Sequence, residues 1–237
     1  MSRQLRLELQ QPPVYGRGDF IVSQTNAEAA RAIDGWPAWP SPALALVGPA
    51  GAGKTHLAQV WLDRAGAVSV EPAVSMADLQ DLHGRPVLLE HADQAPSETL
   101  FHLINLASQA GGGLLLTSRL RPASWTCDLP DLRSRLNALT TAEIGPPDDP
   151  ILEAVLNKFF RERNIRPSDD LFSYLIRRME RSVPVALAIV ERLDEAADAE
   201  HRPVSRALAR QILEDGPGTA DLFATPLANP ASSREKS

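Results

Sequence analysis

The sequence predicts an α/β fold, in which a parallel five-stranded sheet with helices on both faces is followed by a small all-helical unit. Two observations predict this fold. Short apolar runs, typical of strands buried on both faces, alternate with segments of helical spacing up to residue 146. After Gly145-Pro146-Pro147 the apolar residues recur only at helical spacing, so the second unit should contain helices alone.

The elements of the first unit follow from apolar runs, caps and chain breakers. Asn26 is placed to cap a helix that ends near Trp36-Pro37, and Ser97 is placed to cap another. The predicted strands are 43–47, 67–70, 86–90, 113–117 and 138–144. The predicted helices between the strands are 54–65, 75–82, 97–107 and 131–136. The second unit is predicted to hold helices over 148–164, 168–180, 182–199 and 203–214.

Composition excludes several classes of protein. The chain has 237 residues, 43% of them hydrophobic, and a single cysteine, Cys127, so neither a disulfide framework nor a multi-cysteine metal site is expected. No signal peptide or membrane span is expected, which predicts a cytoplasmic protein. A net charge of −6 argues against a general binder of the phosphate backbone of nucleic acids.

A glycine-rich segment between the first predicted strand and its helix fits the P-loop pattern. It consists of Gly48, Pro49, Ala50, Gly51, Ala52, Gly53, Lys54 and Thr55. Glycines let consecutive N–H groups face a phosphate chain, while Lys54 reaches the β- and γ-phosphates and Thr55 holds Mg²⁺. A chance glycine-rich turn is the alternative. The sequence therefore predicts a site for ADP or ATP.

The strand ending at Glu90 lies where P-loop proteins keep the acidic residue that supports Mg²⁺. Glu90 is therefore the second predicted magnesium residue, beside Thr55. The next residue is His91 rather than a second acid, which predicts weak intrinsic hydrolysis because histidine is a poorer, pH-dependent base. Asp93 has two interpretations, orientation of the attacking water or entry into the following helix.

These motifs together resemble the DnaA/Hda family of AAA+ proteins, and the resemblance covers most of the chain. It is carried by the P-loop and by three segments downstream, 98–105, 115–119 and 129–136. The last of these, Leu129-Pro130-Asp131-Leu132-Arg133-Ser134-Arg135-Leu136, resembles the family's box VII. The resemblance implies that Arg135 is an arginine finger acting on a neighbour's nucleotide. The alternative for Arg133 and Arg135 is a solvated pair on a short helix.

The resemblance also implies residues that line the base and residues that bind a partner. The family's adenine contacts precede the first helix, which points to Phe20 and Val22, with His56 beside the P-loop; core packing is the alternative for Phe20 and Val22. The tail Gln4-Leu5-Arg6-Leu7-Glu8-Leu9 resembles a sliding-clamp-binding peptide, in which Gln4, Leu5, Leu7 and Leu9 make the contacts. An edge strand is the alternative for this tail.

Two positions depart from the family pattern. Arg119 occupies the sensor-1 position, which is usually polar or acidic in the family. Pro184 lies where the family often has the sensor-2 arginine. Arg181 is the nearby residue that could take the role of that arginine. A proline cannot contact a phosphate through charge, so the lid is expected to discriminate poorly between ATP and ADP.

The predicted organisation is a clamp-binding tail (1–12), an AAA+ base domain (13–146), a helical lid (147–215) and a disordered tail (216–237). The family's initiator continues into a helix-turn-helix domain, whereas this chain ends soon after Asp215, so no direct sequence-specific DNA binding is expected. The resemblance implies a regulatory inactivator that docks on the β sliding clamp of DNA polymerase III and stimulates hydrolysis of DnaA-bound ATP. The alternatives are a self-contained AAA+ ATPase, such as a helicase loader, and a clamp-tethered adaptor whose nucleotide is structural filler. Pairing of the chain with itself is left open.

Overall fold

The computed structural model describes residues 15–215, which form two units. The first unit comprises residues 15–49 and 53–145, and the second comprises residues 50–52 and 146–215. The predicted tails, 1–12 and 216–237, lie outside the described residues.

The first unit is built on a parallel five-stranded sheet, as the sequence predicts. The strands are β1 (Ala43–Val47), β2 (Val68–Val70), β3 (Pro86–Leu89), β4 (Gly113–Ser118) and β5 (Thr140–Glu143). Their order across the sheet is β2-β3-β4-β1-β5, and each neighbouring pair is parallel. All five residues of β1 are buried, so both faces of this central strand are covered.

Five helices connect or precede the strands of the first unit. They are α1 (Ala27–Asp34), α2 (Lys54–Ala65), α3 (Met76–Gln80), α4 (Ser97–Ala107) and α5 (Pro130–Ala138). One face of α4 packs on the sheet through Leu100, Leu103 and Ile104, which share a hydrophobic cluster with Val87 and Leu116. This packing covers one face of the sheet.

Two predicted caps differ from the observed ones. Ser97 is the first residue of α4 rather than its cap, because Pro96 takes the N-cap position; the Ser97 Oγ instead accepts a bond from the backbone N–H of Asp128 at 3.4 Å. Asn26 does precede α1, but its side chain bonds Ser23 and Ile21 instead of the helix N–H groups. Asn26 is buried and stabilises the loop before α1.

The second unit contains four helices in its described part, which agrees with the predicted helical unit. They are α6 (Asp149–Glu162), α7 (Asp169–Ile176), α8 (Val183–Glu200) and α9 (Arg206–Asp215). Asp148 caps α6 by accepting the N–H of Ile151 at 3.1 Å. Leu152, Leu156 and Phe160 of α6 are fully buried, and they place the core of this unit between its helices.

Candidate nucleotide site

The P-loop segment joins β1 to α2, the position that the motif requires. Gly48 directly follows β1, and a Cβ at this position would collide with the carbonyl oxygen of Ile144. Gly53 precedes α2 with a φ of 103°, in the left-handed region that favours glycine. The helix N-terminus has no side-chain cap, so its N–H groups are available to bind an anion.

Lys54 is the positive centre of this loop. Its Nζ donates hydrogen bonds to the carbonyl oxygens of Gly48 and Pro49, each at 2.8 Å. Burial lowers the pKa of Lys54 from its usual value and the positive charge of Arg119 lowers it further, while Glu90 and Asp93 oppose both. The three neighbours therefore lie near enough to Lys54 to act on its charge.

The predicted magnesium residues both lie beyond the carboxyl ends of strands, Thr55 after β1 and Glu90 after β3. Thr55 is the second residue of α2 and is exposed, and Glu90 directly follows β3 and is half-buried. In a parallel sheet, ligands bind outside the carboxyl ends of the strands. A hydroxyl and a carboxylate are oxygen donors of the kind that Mg²⁺ prefers, so these residues and the glycine cradle fit a magnesium nucleotide.

The turn after Glu90 has an unusual backbone conformation. His91 has a φ of 52°, and its N–H donates to the Thr117 Oγ1 of β4 at 3.3 Å. Asp93 lies in a short 3-10 helix, Ala92–Gln94, and is half-buried. Asp93 is the acidic residue in the first turn of this short helix, so both of its interpretations stay predictions.

The three predicted base-lining residues differ in their surroundings. Phe20 is buried, and its ring contacts the His56 ring edge-on with centroids 5.3 Å apart. A His56 ring nitrogen bonds the carbonyl oxygen of Gly16 at 2.9 Å, and Tyr15 also packs on the ring. Val22, by contrast, is 47% exposed. The structure thus groups Phe20 and His56 with Tyr15, a residue that the sequence analysis missed and that only its aromatic character could have suggested.

The two arginines of the box VII-like segment have different roles. Arg133 is half-buried and donates to the carbonyl oxygens of Ala123 and Trp125 at 3.0 and 2.8 Å, which holds the preceding loop on α5. Arg135 is exposed, and its guanidinium lies 5.0 Å from the centre of the Phe101 ring. Arg135 therefore keeps its hydrogen-bonding groups at the surface.

In the predicted sensor-2 region, Arg181 and the backbone of Val183, beside Pro184, have partners within the second unit. Arg181 forms an ion pair with Asp149 and donates to the carbonyl oxygen of Pro147. The N–H of Val183 donates to the carbonyl oxygen of Gly51 at 3.1 Å, which accounts for the grouping of residues 50–52 with the helices. The guanidinium of Arg181 is thus directed to α6.

The clamp-binding residues Gln4, Leu5, Leu7 and Leu9 lie outside the described residues. No helix within residues 15–215 is long and apolar enough to span a bilayer.

Comparison with known proteins agrees with this architecture. No family model matches the chain. DnaA from Thermomicrobium roseum is 27% identical over 238 aligned positions, which cover 88% of this chain and 51% of that protein. The fold of domain III of Thermotoga maritima DnaA superposes with a TM-score of 0.70 at 18% identity, covering 85% of this chain and 96% of that domain. The chain has the AAA+ fold and is similar in sequence to DnaA.

A second solved AAA+ structure shows the same architecture. A variant of Thermotoga maritima RuvB superposes with a TM-score of 0.68 at 14% identity, covering 85% of this chain and 72% of that one. The chain spans about half the length of the Thermomicrobium roseum DnaA that it matches. Its sequence similarity is to DnaA, while its fold is shared with RuvB as well.

Proposed function

We propose that this chain is a nucleotide-binding regulator of replication initiation, which docks on the sliding clamp and stimulates hydrolysis of ATP bound to DnaA. The observation that carries the proposal is that Arg135 of α5 is exposed. Its neighbour on the same helix, Arg133, instead binds two backbone carbonyl groups. Similarity to DnaA along most of the chain supports assembly with a DnaA subunit, because related AAA+ modules present similar surfaces to one another.

The nucleotide site would hold ADP or ATP through its backbone and two oxygen donors. The P-loop N–H groups and the N-terminus of α2 favour the phosphates, and Lys54 adds a positive charge. Thr55 and Glu90 would hold Mg²⁺, which neutralises phosphate charge when bound. Phe20 and His56 would supply an aromatic wall for the base, and the exposed Val22 would be a further contact.

Arg135 suits the role of a finger for chemical reasons. Its guanidinium is planar, carries several N–H donors and stays charged at every physiological pH. Stacking on Phe101 restrains the side chain without using those donors on a carboxylate. An arginine supplied in trans stabilises charge on the transferring γ-phosphate and is worth about 10³ to 10⁵ in rate.

Replacing Arg135 by alanine tests this proposal. Arg135→Ala should reduce the stimulated hydrolysis of DnaA-bound ATP by about 10³-fold or more, because the charge stabilisation is lost. The measurement uses full chain, DnaA-ATP, sliding clamp and DNA, and omitting the clamp should also remove the stimulation. Binding of ADP and of clamp by the variant should equal that of wild type.

Arg135→Lys and Arg133→Ala are the matched controls. Lysine keeps a positive charge but not the planar fork, so it should restore little activity. Arg133→Ala should lower thermal stability, since two hydrogen bonds to carbonyl groups are lost. Stimulated hydrolysis per folded molecule should not fall to a comparable extent. Undiminished hydrolysis with Arg135→Ala would remove the proposal.

A self-contained AAA+ ATPase is the second candidate. The observation in its favour is that two carboxylates, Glu90 and Asp93, both act to raise the pKa of Lys54. Asp93 would then orient water in place of His91. This candidate requires turnover of ATP without DnaA.

A further inference from the structure

The second unit contains an open cavity that the proposed function does not use. The cavity has a volume of about 600 Å³ and is lined by Tyr174, Arg178, Arg206, Ala207 and Arg210. Tyr174 belongs to α7, Arg178 follows that helix, and the other three residues belong to α9. Three guanidinium groups and a phenol therefore converge from two packed elements.

Tyr174 organises this cluster. Its side chain is 95% buried, and the guanidinium carbons of Arg178 and Arg206 lie 4.2 and 5.2 Å from its ring centre. Both contacts are in the range of cation–π attraction. The Tyr174 hydroxyl is also buried and has no hydrogen-bond partner among residues 15–215. A buried hydroxyl without a hydrogen-bond partner is unfavourable, so an acceptor at this wall would be stabilising.

Two arginines of this wall differ from other arginines of the same unit, whose charges are paired within the described residues. Arg163 pairs with Glu191, Arg181 with Asp149 and Arg202 with Glu200. Within the described part of the chain, by contrast, no carboxylate pairs with Arg178 or Arg206. Both guanidinium groups instead contact the Tyr174 ring. The cavity therefore has a local positive charge that an anion would neutralise.

The chemistry of the wall favours a phosphate group. Guanidinium forks bind phosphate oxygens through paired N–H donors, and a phosphate monoester carries a charge near −2 with three acceptor oxygens. A single carboxylate offers one charge to the two arginines that contact Tyr174. The covered ring of Tyr174 leaves no aromatic platform for stacked bases, which single-stranded nucleic acids require. The cavity volume is within the range of small-molecule sites.

We propose that the cavity between α7 and α9 binds the phosphate group of a small phosphorylated anion, separately from the P-loop. Arg178 and Arg206 supply the main charge and Arg210 extends it along α9. The bound anion would add a further link between the two elements that carry these arginines.

Pyrophosphate is the probe for this site. The full chain, saturated with ADP and Mg²⁺, is titrated calorimetrically with sodium pyrophosphate at constant ionic strength. The wild type should show a binding event that persists in Lys54→Ala, because that event does not involve the P-loop. The double change Arg178→Ala with Arg206→Ala should weaken it by about tenfold or more, since two charged contacts are lost.

Arg177→Ala is the matched control, because Arg177 is exposed and adjacent to Arg178 but does not line the cavity. It should bind pyrophosphate as the wild type does. If the double variant unfolds in circular dichroism, Arg206→Gln alone should show a weaker form of the same loss. Inorganic phosphate should compete and acetate should not. Equal binding by the arginine variants and wild type, or equal competition by acetate, would overturn the proposal.

Discussion

Gly53 is a P-loop residue at which a side chain is disfavoured for two separate reasons. Its φ is 103°, and an added Cβ would lie 3.0 Å from the ring of Phe20. Gly66 has a similar left-handed backbone, with a φ of 58°, but open space around its Cβ position. The two glycines therefore differ both in backbone conformation and in the contact with Phe20.

Gly53→Ala should destabilise the first unit more than Gly66→Ala does. The left-handed backbone accounts for about 1–2 kcal/mol at Gly66. The cost is greater at Gly53, because a φ of 103° lies outside the left-handed region that alanine can adopt and because Phe20 is also displaced. Gly53→Ala should also weaken ADP binding, because Phe20 is part of the proposed base wall. Urea unfolding and titration with labelled ADP measure the two effects.

Gly18→Ala is the control for this comparison, because nothing lies within 4 Å of its Cβ position and its backbone is not left-handed. The prediction is contradicted if Gly53→Ala unfolds at the same urea concentration as Gly18→Ala and binds ADP equally well.

Single residues also mark how far sequence reasoning could go. Lys54, Thr55 and Glu90 could be placed because a local motif specifies both their chemistry and the strand and helix around them. Arg133 and Arg135 could not be separated by chemistry, since both are arginines on one short helix. Their difference depends on whether loop carbonyls lie within reach, a tertiary fact that the local pattern does not contain.

At the scale of elements, helix caps distinguish two residues that look alike in the sequence. Asp148 accepts the N–H of Ile151, whereas Ser97 makes no cap bond because α4 begins at that residue. Asp148→Ala should therefore cost about 1 kcal/mol of stability. Ser97→Ala should cost less, because it removes only a 3.4 Å bond to Asp128.

The two units can be followed by different signals in this test. All four tryptophans belong to the first unit, so fluorescence reports Ser97→Ala, while circular dichroism reports the helices that include α6. A larger loss from Ser97→Ala than from Asp148→Ala would show that the cap assignment is wrong.

Element boundaries were predictable where one local signal dominates. The prediction for β1 is confirmed at both ends because its apolar run is continuous and bounded by Pro42 and Gly48. The prediction for α9 began too early, at residue 203, because the Oγ of Ser205 accepts the N–H of Leu208 and sets the start at Arg206. The prediction for α7 ran to residue 180. The helix instead ends at Ile176, and no glycine or proline marks that end in the sequence.

At the scale of the whole molecule, the proposed function assigns nucleotide binding and the finger to different elements. Lys54 begins α2 and Glu90 follows β3, whereas Arg135 lies on α5. One variant can therefore lack the nucleotide lysine while retaining the finger, and another can lack the finger while retaining the lysine. The same two variants distinguish a regulator of DnaA from a self-contained ATPase.

A mixture of Lys54→Ala and Arg135→Ala chains provides the deciding experiment. In a self-assembling ATPase, the first chain supplies its finger to nucleotide held by the second, so the mixture should recover turnover that each variant lacks. In a regulator of DnaA, the site of hydrolysis is in the partner, and no turnover should appear without DnaA in wild type, variants or mixture. Phosphate release, measured with and without DnaA and clamp-loaded DNA, separates the two. We expect release only in the presence of DnaA and of a chain that carries Arg135, and recovery by the mixture alone would instead establish the self-contained ATPase.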